Sequence, residues 1–247
     1  MLKLLSPIFR KIIIWKFPRL LRDCARVFGY NNNFTIGGIT YKTDPCSVGR
    51  TPLGELTAGG AIQMIKERGL RNLRVLDIAC GVGTIGLTIY TKLKEDSVIK
   101  EVVFADINIF NLNSLRRTLA INNLSDLEGK CFHIYLSDAL KHIPKTEKFD
   151  IVVSNPPNFF IQDFLNIEMS GSTLGRYSRD WSFHKSVYGE VHEYLTTQGE
   201  VWFLENSEAI KENEAKFLIE ENPNLTCEIK PASRERRSLY WTVTKKK

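Results

Sequence analysis

The sequence predicts an α/β fold: a Rossmann-like doubly wound arrangement with a seven-stranded, mostly parallel sheet, an antiparallel last strand, helices on both faces, and an N-terminal extension. Three observations predict it. From Arg74 onward, short β-branched runs alternate with longer amphipathic stretches, the signature of repeated βα units. The last two strand-like runs are separated only by Pro231 to Arg237, too few residues for a crossover helix, which sets them antiparallel. A chain of 247 residues suits one sizeable core with an appended segment rather than two large domains.

The expected strands are Arg74 to Cys80, Glu101 to Ile107, Cys131 to Asp138, Phe149 to Asn155, Glu200 to Glu205, Thr226 to Lys230 and Leu239 to Thr244. Between them the helical period places helices at Thr84 to Lys94, Leu112 to Asn123, Phe183 to Leu195 and Ser207 to Glu221, with Ser207 as the cap of the last. Residues 31–60, rich in Gly, Asn, Thr and Pro, and residues 156–182 break the alternation and read as long loops. In doubly wound folds such loops build ligand sites. The domain reading is a basic arm and lid segment over residues 1–60, followed by a catalytic domain over residues 61–247.

Charge is unevenly placed. Residues 1–30 hold Lys3, Arg10, Lys11, Lys16, Arg19, Arg22 and Arg26 against Asp23 alone, so this arm carries the whole net charge of +6 and the rest of the chain is balanced. The arm suits an anionic partner, be it phosphates, a membrane surface or an acidic protein; a helix packed on the catalytic domain with solvated Lys and Arg accounts for the same composition. No stretch approaches the roughly 20 apolar residues of a membrane span, and the arm lacks the layout of a secretory signal. Cys24, Cys46, Cys80, Cys131 and Cys227 are scattered without metal-ligand spacing, the usage of reduced thiols in a cytoplasmic protein.

The strongest motif is Val75-Leu76-Asp77-Ile78-Ala79-Cys80-Gly81-Val82-Gly83-Thr84-Ile85-Gly86, a buried strand running through a glycine turn into a helix. Gly81 and Gly83 let the backbone approach a ligand, and Gly86 lets the helix pack near the strand. The next strand ends in Asp106-Ile107, where a carboxylate suits both ribose hydroxyls of a nucleoside cofactor. The third ends in Asp138-Ala139, where Asp138 is placed to accept from an adenine amino group. A nicotinamide-dependent dehydrogenase shares this fingerprint, and the glycine motif alone does not separate the two.

The fourth strand delivers Asn155-Pro156-Pro157-Asn158 to the same edge. Two prolines cannot continue a central strand and hold the chain stiff, so the Asn155 amide oxygen and the Pro156 carbonyl form a rigid pair of acceptors. That pair suits an NH₂ group on a planar system: hydrogen bonds to both protons orient the nitrogen and make its electrons more available for in-line attack without a strong base.

Together these motifs resemble the class I S-adenosylmethionine-dependent methyltransferases over roughly residues 50–247. The Asn-Pro-Pro segment is similar to that of enzymes acting on adenine N6, guanine N2 or a protein glutamine amide. The resemblance implies seven strands and S-adenosylmethionine as cofactor. It implies that Asp77 and the Ala79–Gly83 loop hold the methionyl end, Asp106 the ribose and Asp138 the adenine, with Asn155, Pro156 and Pro157 as the catalytic turn. Two positions depart from the pattern. Ala79 stands where glycine is common, a small change expected to disturb little, and Asn158 stands where an aromatic residue usually stacks on the acceptor, a role that Phe159 or Phe160 is placed to take.

Tyr177 and His184 complete the candidate acceptor residues. His184 shares a helix face with Tyr188, a placement that suits either a general base or simple packing. Arg50 and Glu55 precede the first catalytic strand, where the family often carries a lid. The acceptor stays open among a protein, RNA or DNA, and a small metabolite methylated on nitrogen or oxygen. A non-catalytic docking module that kept the fold is the alternative from a different class. No metal site is expected.

Overall fold

The computed structural model describes residues 33–43, 47, 52–157, 159–160, 177–178, 181–232 and 238–247; the basic arm of residues 1–30 lies outside them. The seven-stranded sheet has the order β10-β11-β9-β6-β3-β4-β5. Its strands are β3 (Leu73–Ile78), β4 (Ile99–Asp106), β5 (Phe132–Leu136), β6 (Phe149–Ser154), β9 (Leu195–Asn206), β10 (Leu225–Pro231) and β11 (Leu239–Lys246). Strands β5, β4, β3, β6 and β9 pair in parallel, whereas β11 runs antiparallel to both β9 and β10. All seven expected strands and the antiparallel closure are present.

Both faces are covered, which is why the central strands read as nearly continuous apolar runs. On one face, Val75, Val102, Ile151 and Trp202 pack with α1 (Pro52–Glu67), α2 (Thr84–Leu93) and α3 (Ile109–Ile121). On the other, Leu76, Val103, Val152 and Phe203 pack with α4 (Ser182–Glu190) and α5 (Glu212–Glu220). Alternate residues of each strand thus feed opposite cores.

The larger boundary differences lie at three helices. The last helix does not open at Ser207. Strand β9 continues to Asn206, whose carbonyl accepts from Ala209 and Ile210 in a turn, and α5 begins after Lys211, whose N–H is held by Glu214 Oε2 at 3.1 Å. The helix expected over 183–195 ends at Glu190, and a 3₁₀ turn leads into β9, which starts at Leu195 beside Phe149. Helix α3 starts three residues early, because Asn108 caps it by accepting from Phe110 N–H at 3.0 Å.

Part of the segment read as loop is structured. Strands β1 (Phe34–Ile36) and β2 (Ile39–Tyr41) form a hairpin that buries Tyr41 and is tied to α3 by Asn122, whose amide bonds both backbone groups of Thr40. Helix α1 spans residue 60 and buries Ala58, Ala61 and Ile65 in the same core as β3 and β9.

Candidate active site

The C-terminal ends of β3, β4, β5 and β6 bring the sequence-predicted residues to one edge. Asp77 lies in the body of β3, wholly buried. Its Oδ2 accepts the Gly86 N–H at 2.8 Å, while Oδ1 has no hydrogen-bond partner. Burial pushes this carboxyl well above the usual carboxylate range; the Gly86 bond opposes the shift, and the charge of Asp106 adds to it. A buried acceptor left open beside a glycine loop is the condition expected of a group awaiting a cationic donor.

The loop geometry is set by its small residues. Ala79, Gly81 and Gly83 all have positive φ, at 54°, 57° and 80°. At Gly83 a Cβ would meet Leu115 of α3 at 2.6 Å, and at Gly86 it would meet the Phe104 ring at 2.5 Å. Gly83 and Gly86 are therefore required by backbone conformation and by packing of α2 against β4 and α3, more than by closeness to a ligand.

Asp106, 6% exposed, is engaged on both oxygens. Oδ2 accepts from Gly81 N–H at 2.7 Å, and Oδ1 accepts from Asn108 N–H at 2.8 Å and Asn111 Nδ2 at 3.0 Å. Two oxygens offer about four lone-pair sites, so three bonds leave one, on Oδ2. The expectation that Asp106 serves both ribose hydroxyls thus needs refinement: this carboxylate braces the glycine loop and has room for one further donor. Burial raises its pKa, against the three hydrogen bonds that lower it. Ile107, the next residue, is about half exposed, as is Leu136, which follows the register partner of Ala105 at the end of β5.

Asp138 is open to solvent and paired with Lys141, and Ala139 takes positive φ of 50° in the turn after β5. Ser137 Oγ fixes that turn by donating to the Ala139 carbonyl at 2.7 Å and accepting from His142 N–H at 3.1 Å.

Strand β6 ends at Ser154, whose hydroxyl donates to the Ile78 carbonyl at 2.6 Å and so locks the tip of β6 to the tip of β3. Asn155, Pro156 and Pro157 follow at once. The register sets Asp77 beside Val153, so Asn155 stands two residues further along the same face, and its Oδ1 is buried with no hydrogen-bond partner. Two open acceptor oxygens, Asp77 Oδ1 and Asn155 Oδ1, are thus presented from neighbouring strands.

Asn158 lies outside the described residues. Phe159 and Phe160 form β7, paired in parallel with β8 (Tyr177–Ser178), which sets Phe159 opposite Tyr177 and brings two candidates together. His184 lies inside the α4–sheet interface, 1% exposed, with Nε2 3.2 Å from Glu205 Oε1; Glu205 was not singled out from the sequence. Glu55 falls in the first turn of α1 and Arg50 outside the described residues. No cluster of three His, Cys, Asp or Glu that suits a metal occurs among the described residues, and none of their helices is long and apolar enough to cross a membrane.

The fold is that of Rossmann-like methyltransferase structures, with an Asn-Pro-Pro turn at the edge of the sheet. Within it, residues 59–166 match the family model of the Methyltransferase small domain. A stretch of 118 residues, 48% of this chain, is 37% identical to ribosomal RNA small subunit methyltransferase C of Haemophilus influenzae (strain PittEE), covering 31% of that protein. The Mannheimia succiniciproducens protein of the same name is 40% identical over 83 residues, 34% of this chain and 21% of its own length. The matched stretch thus spans less than a third of these curated relatives.

Among solved structures, the T. thermophilus 16S rRNA N2 methyltransferase RsmC, in complex with AdoMet and guanosine, superposes with TM-score 0.58 at 18% identity, covering 87% of this chain and 49% of that one. A methyltransferase from Pyrococcus furiosus gives 0.56 at 14% identity, over 94% and 97% of the two chains.

Proposed function

We propose that this chain is an S-adenosylmethionine-dependent methyltransferase that methylates an exocyclic amino nitrogen of a nucleic-acid base. The observation that carries the reading is the Asn155-Pro156-Pro157 turn, with its open Asn155 Oδ1, one strand from the open Asp77 Oδ1. Similarity to ribosomal RNA small subunit methyltransferase C, and to a relative solved with AdoMet and guanosine, supports a base as acceptor.

The residues fit the cofactor. Asp77 Oδ1 suits a methionyl ammonium, the remaining site on Asp106 suits one ribose hydroxyl, and exposed Asp138 suits an adenine amino group beside Ile107 and Ala139. When bound, the cofactor supplies an electrophilic methyl on a sulfonium. Asn155 Oδ1 and the Pro156 carbonyl accept the two N–H groups of the acceptor amine, which orients the nitrogen and increases the electron density available for attack. The extra proton leaves the nitrogen after transfer, so no buried base has to act first. In this reading the basic arm supplies phosphate contacts and the enzyme works in the cytoplasm.

The test is methyl transfer from radiolabelled S-adenosylmethionine to unmodified small-subunit ribosomal RNA, followed by nucleoside analysis. An N-methylated base lost in Asn155→Ala supports the reading. Label entering a glutamine-containing peptide but not RNA would move the acceptor to protein, and no cofactor binding would remove the enzyme reading altogether.

A further inference from the structure

At the acceptor end of the sheet a second pair of titratable groups is closed off from water. His184, in the first turn of α4, and Glu205, one residue from the end of β9, are each 1% exposed and meet at 3.2 Å through Nε2 and Oε1. Their other polar atoms, His184 Nδ1 and Glu205 Oε2, have no hydrogen-bond partner. The surroundings are aromatic: the imidazole lies edge-on to Trp181 at 5.2 Å and to Phe183 at 5.7 Å, and 6.2 Å from both Tyr188 and Phe203. The other titratable groups packed nearby are Tyr188 on the same helix, Tyr240 on β11, which is the register partner of Glu205, and Cys227 on β10.

The position of the pair separates it from ordinary core. Strand β6 ends with Ser154 beside Phe203 of β9, so Glu205, two residues on, is level with Pro156 in the middle of the Asn155-Pro156-Pro157 turn, on the α4 face. Helix α4 is the next helix in the chain after that turn among the described residues. The pair therefore bridges the strand beside the catalytic turn and the helix that follows that turn in the chain.

Stability alone does not account for it, since an apolar pair of similar volume would leave no open polar atoms among these rings. What a His–Glu pair adds is a directed polar contact, Nε2 to Oε1 at 3.2 Å, that an apolar pair lacks. We propose that His184 and Glu205 are positioning residues for the acceptor side of the site. The Nε2–Oε1 contact fastens α4 to the tip of β9 and so fixes the Asn155–Pro157 turn for the incoming amine, while the Asp77 and Asp106 side of the site stands apart from it. The inference rests on the methyltransferase reading above.

His184→Gln, Glu205→Gln and the double variant His184→Leu/Glu205→Leu test it. The readouts are S-adenosylmethionine affinity by calorimetry, acceptor KM and kcat with small-subunit ribosomal RNA, thermal stability, and hydrogen exchange. Cofactor affinity should stay within about threefold of wild type in all three. Each Gln variant should raise acceptor KM about tenfold with a smaller change in kcat, and speed exchange at Asn155 and the first turn of α4 but not at Gly81–Gly86. The Leu pair should recover thermal stability yet keep the raised KM and the fast exchange.

If the Leu pair restores KM and exchange together with stability, the pair is packing only and the proposal fails. Unchanged exchange at Asn155 in the Gln variants overturns it as well. Should wild type methylate no RNA, the functional reading fails separately, and exchange still decides whether the pair holds the turn.

Discussion

The two ends of the sheet carry the same kinds of polar side chain and treat them oppositely. At the N-terminal end, Arg74 forks onto Glu101 and Glu147 and donates to the Lys148 carbonyl, and Asp150 takes the Arg74 backbone N–H and the Thr196 hydroxyl. Glu200 there is met by Arg68, Trp202 Nε1 and Lys245. At the C-terminal end, Asp77, Asn155, His184 and Glu205 each keep a buried polar atom without a partner.

The pKa directions record the same contrast. Burial acts to raise Glu200, but hydrogen bonds from Arg68, Trp202 and Lys245 outweigh it and the net shift is downward; Asp77 and Asp106, dominated by burial, shift upward. One end pairs its carboxylates with cations and N–H donors of the chain, and the other leaves carboxylate, amide and imidazole atoms open. Open, costly groups gathered at one edge mark where binding energy is to be recovered from a ligand.

The largest effect expected from disturbing this contrast is at Asp106. Asp106→Ala removes the acceptor for Gly81 N–H, Asn108 N–H and Asn111 Nδ2 as well as the ribose site, so the loop loses its brace. Calorimetry should show S-adenosylmethionine affinity reduced by about a hundredfold or more, with a stability loss of about 2–3 kcal/mol on denaturant titration. Binding that survives unchanged would mean that the glycine loop does not depend on this carboxylate.

Asp77→Asn separates stability from binding. The amide still accepts from Gly86 but carries no charge to bury, so the free protein should be stabilised by about 1 kcal/mol or more at neutral pH, while S-adenosylmethionine binds about tenfold or more weakly. The sign with pH follows from the raised pKa. Between the ordinary carboxylate range and that value, the unfolded chain has released the proton that the folded one keeps, so stability falls as pH rises. The gain from the substitution therefore grows with pH across that window, and a pH series of denaturant melts with and without Asp77→Asn should show the two curves diverging. A cationic ligand favours the ionised form, so wild-type affinity should rise over the same window.

At the opposite end, Glu200→Gln should cost about 1–2 kcal/mol at neutral pH and leave cofactor affinity unchanged. Glu200 is held down, so its contribution is present above the ordinary carboxylate range and is lost as pH falls. Wild type and variant should therefore converge in stability on acidification, the reverse of the trend at Asp77. A change in cofactor affinity in this variant would erase the division between the two ends.

How much of this was legible follows from what each signal depends on. The seven strands and the positions of Asp77, Asp106 and Asn155 at their ends came through because apolar runs ending in an acid or a proline pair are local patterns. Helix α1 did not, since Gly59 and Gly60 argue against a helix; only the tertiary contact explains Gly60, where a Cβ would meet the Trp241 ring at 2.5 Å. Pro52, at the first helical position, was the available cue. Ser207 looked like a cap, but the cross-strand pairing of Asn206 with Leu239 carries β9 up to it, a non-local constraint. Glu205 was invisible for a similar reason: nothing near it in sequence reveals that His184 faces it across a helix–sheet interface.

Ala79 gives the smallest expected effect and the finest view of the open end. The sequence reading took alanine in place of glycine as nearly neutral, yet the residue adopts φ of 54°, where an L side chain is strained. The loop from Ala79 to Gly83 has three residues at positive φ, and only this one carries a Cβ. Ala79→Gly should relieve about 1 kcal/mol of left-handed strain, offset by about 0.5–1 kcal/mol from the greater freedom of glycine in the unfolded chain. The net change in denaturant midpoint is therefore small and stabilising, with S-adenosylmethionine affinity kept. If affinity instead drops with stability unchanged, the Ala79 methyl touches the ligand, and the strain at this position is held for binding rather than tolerated by the fold.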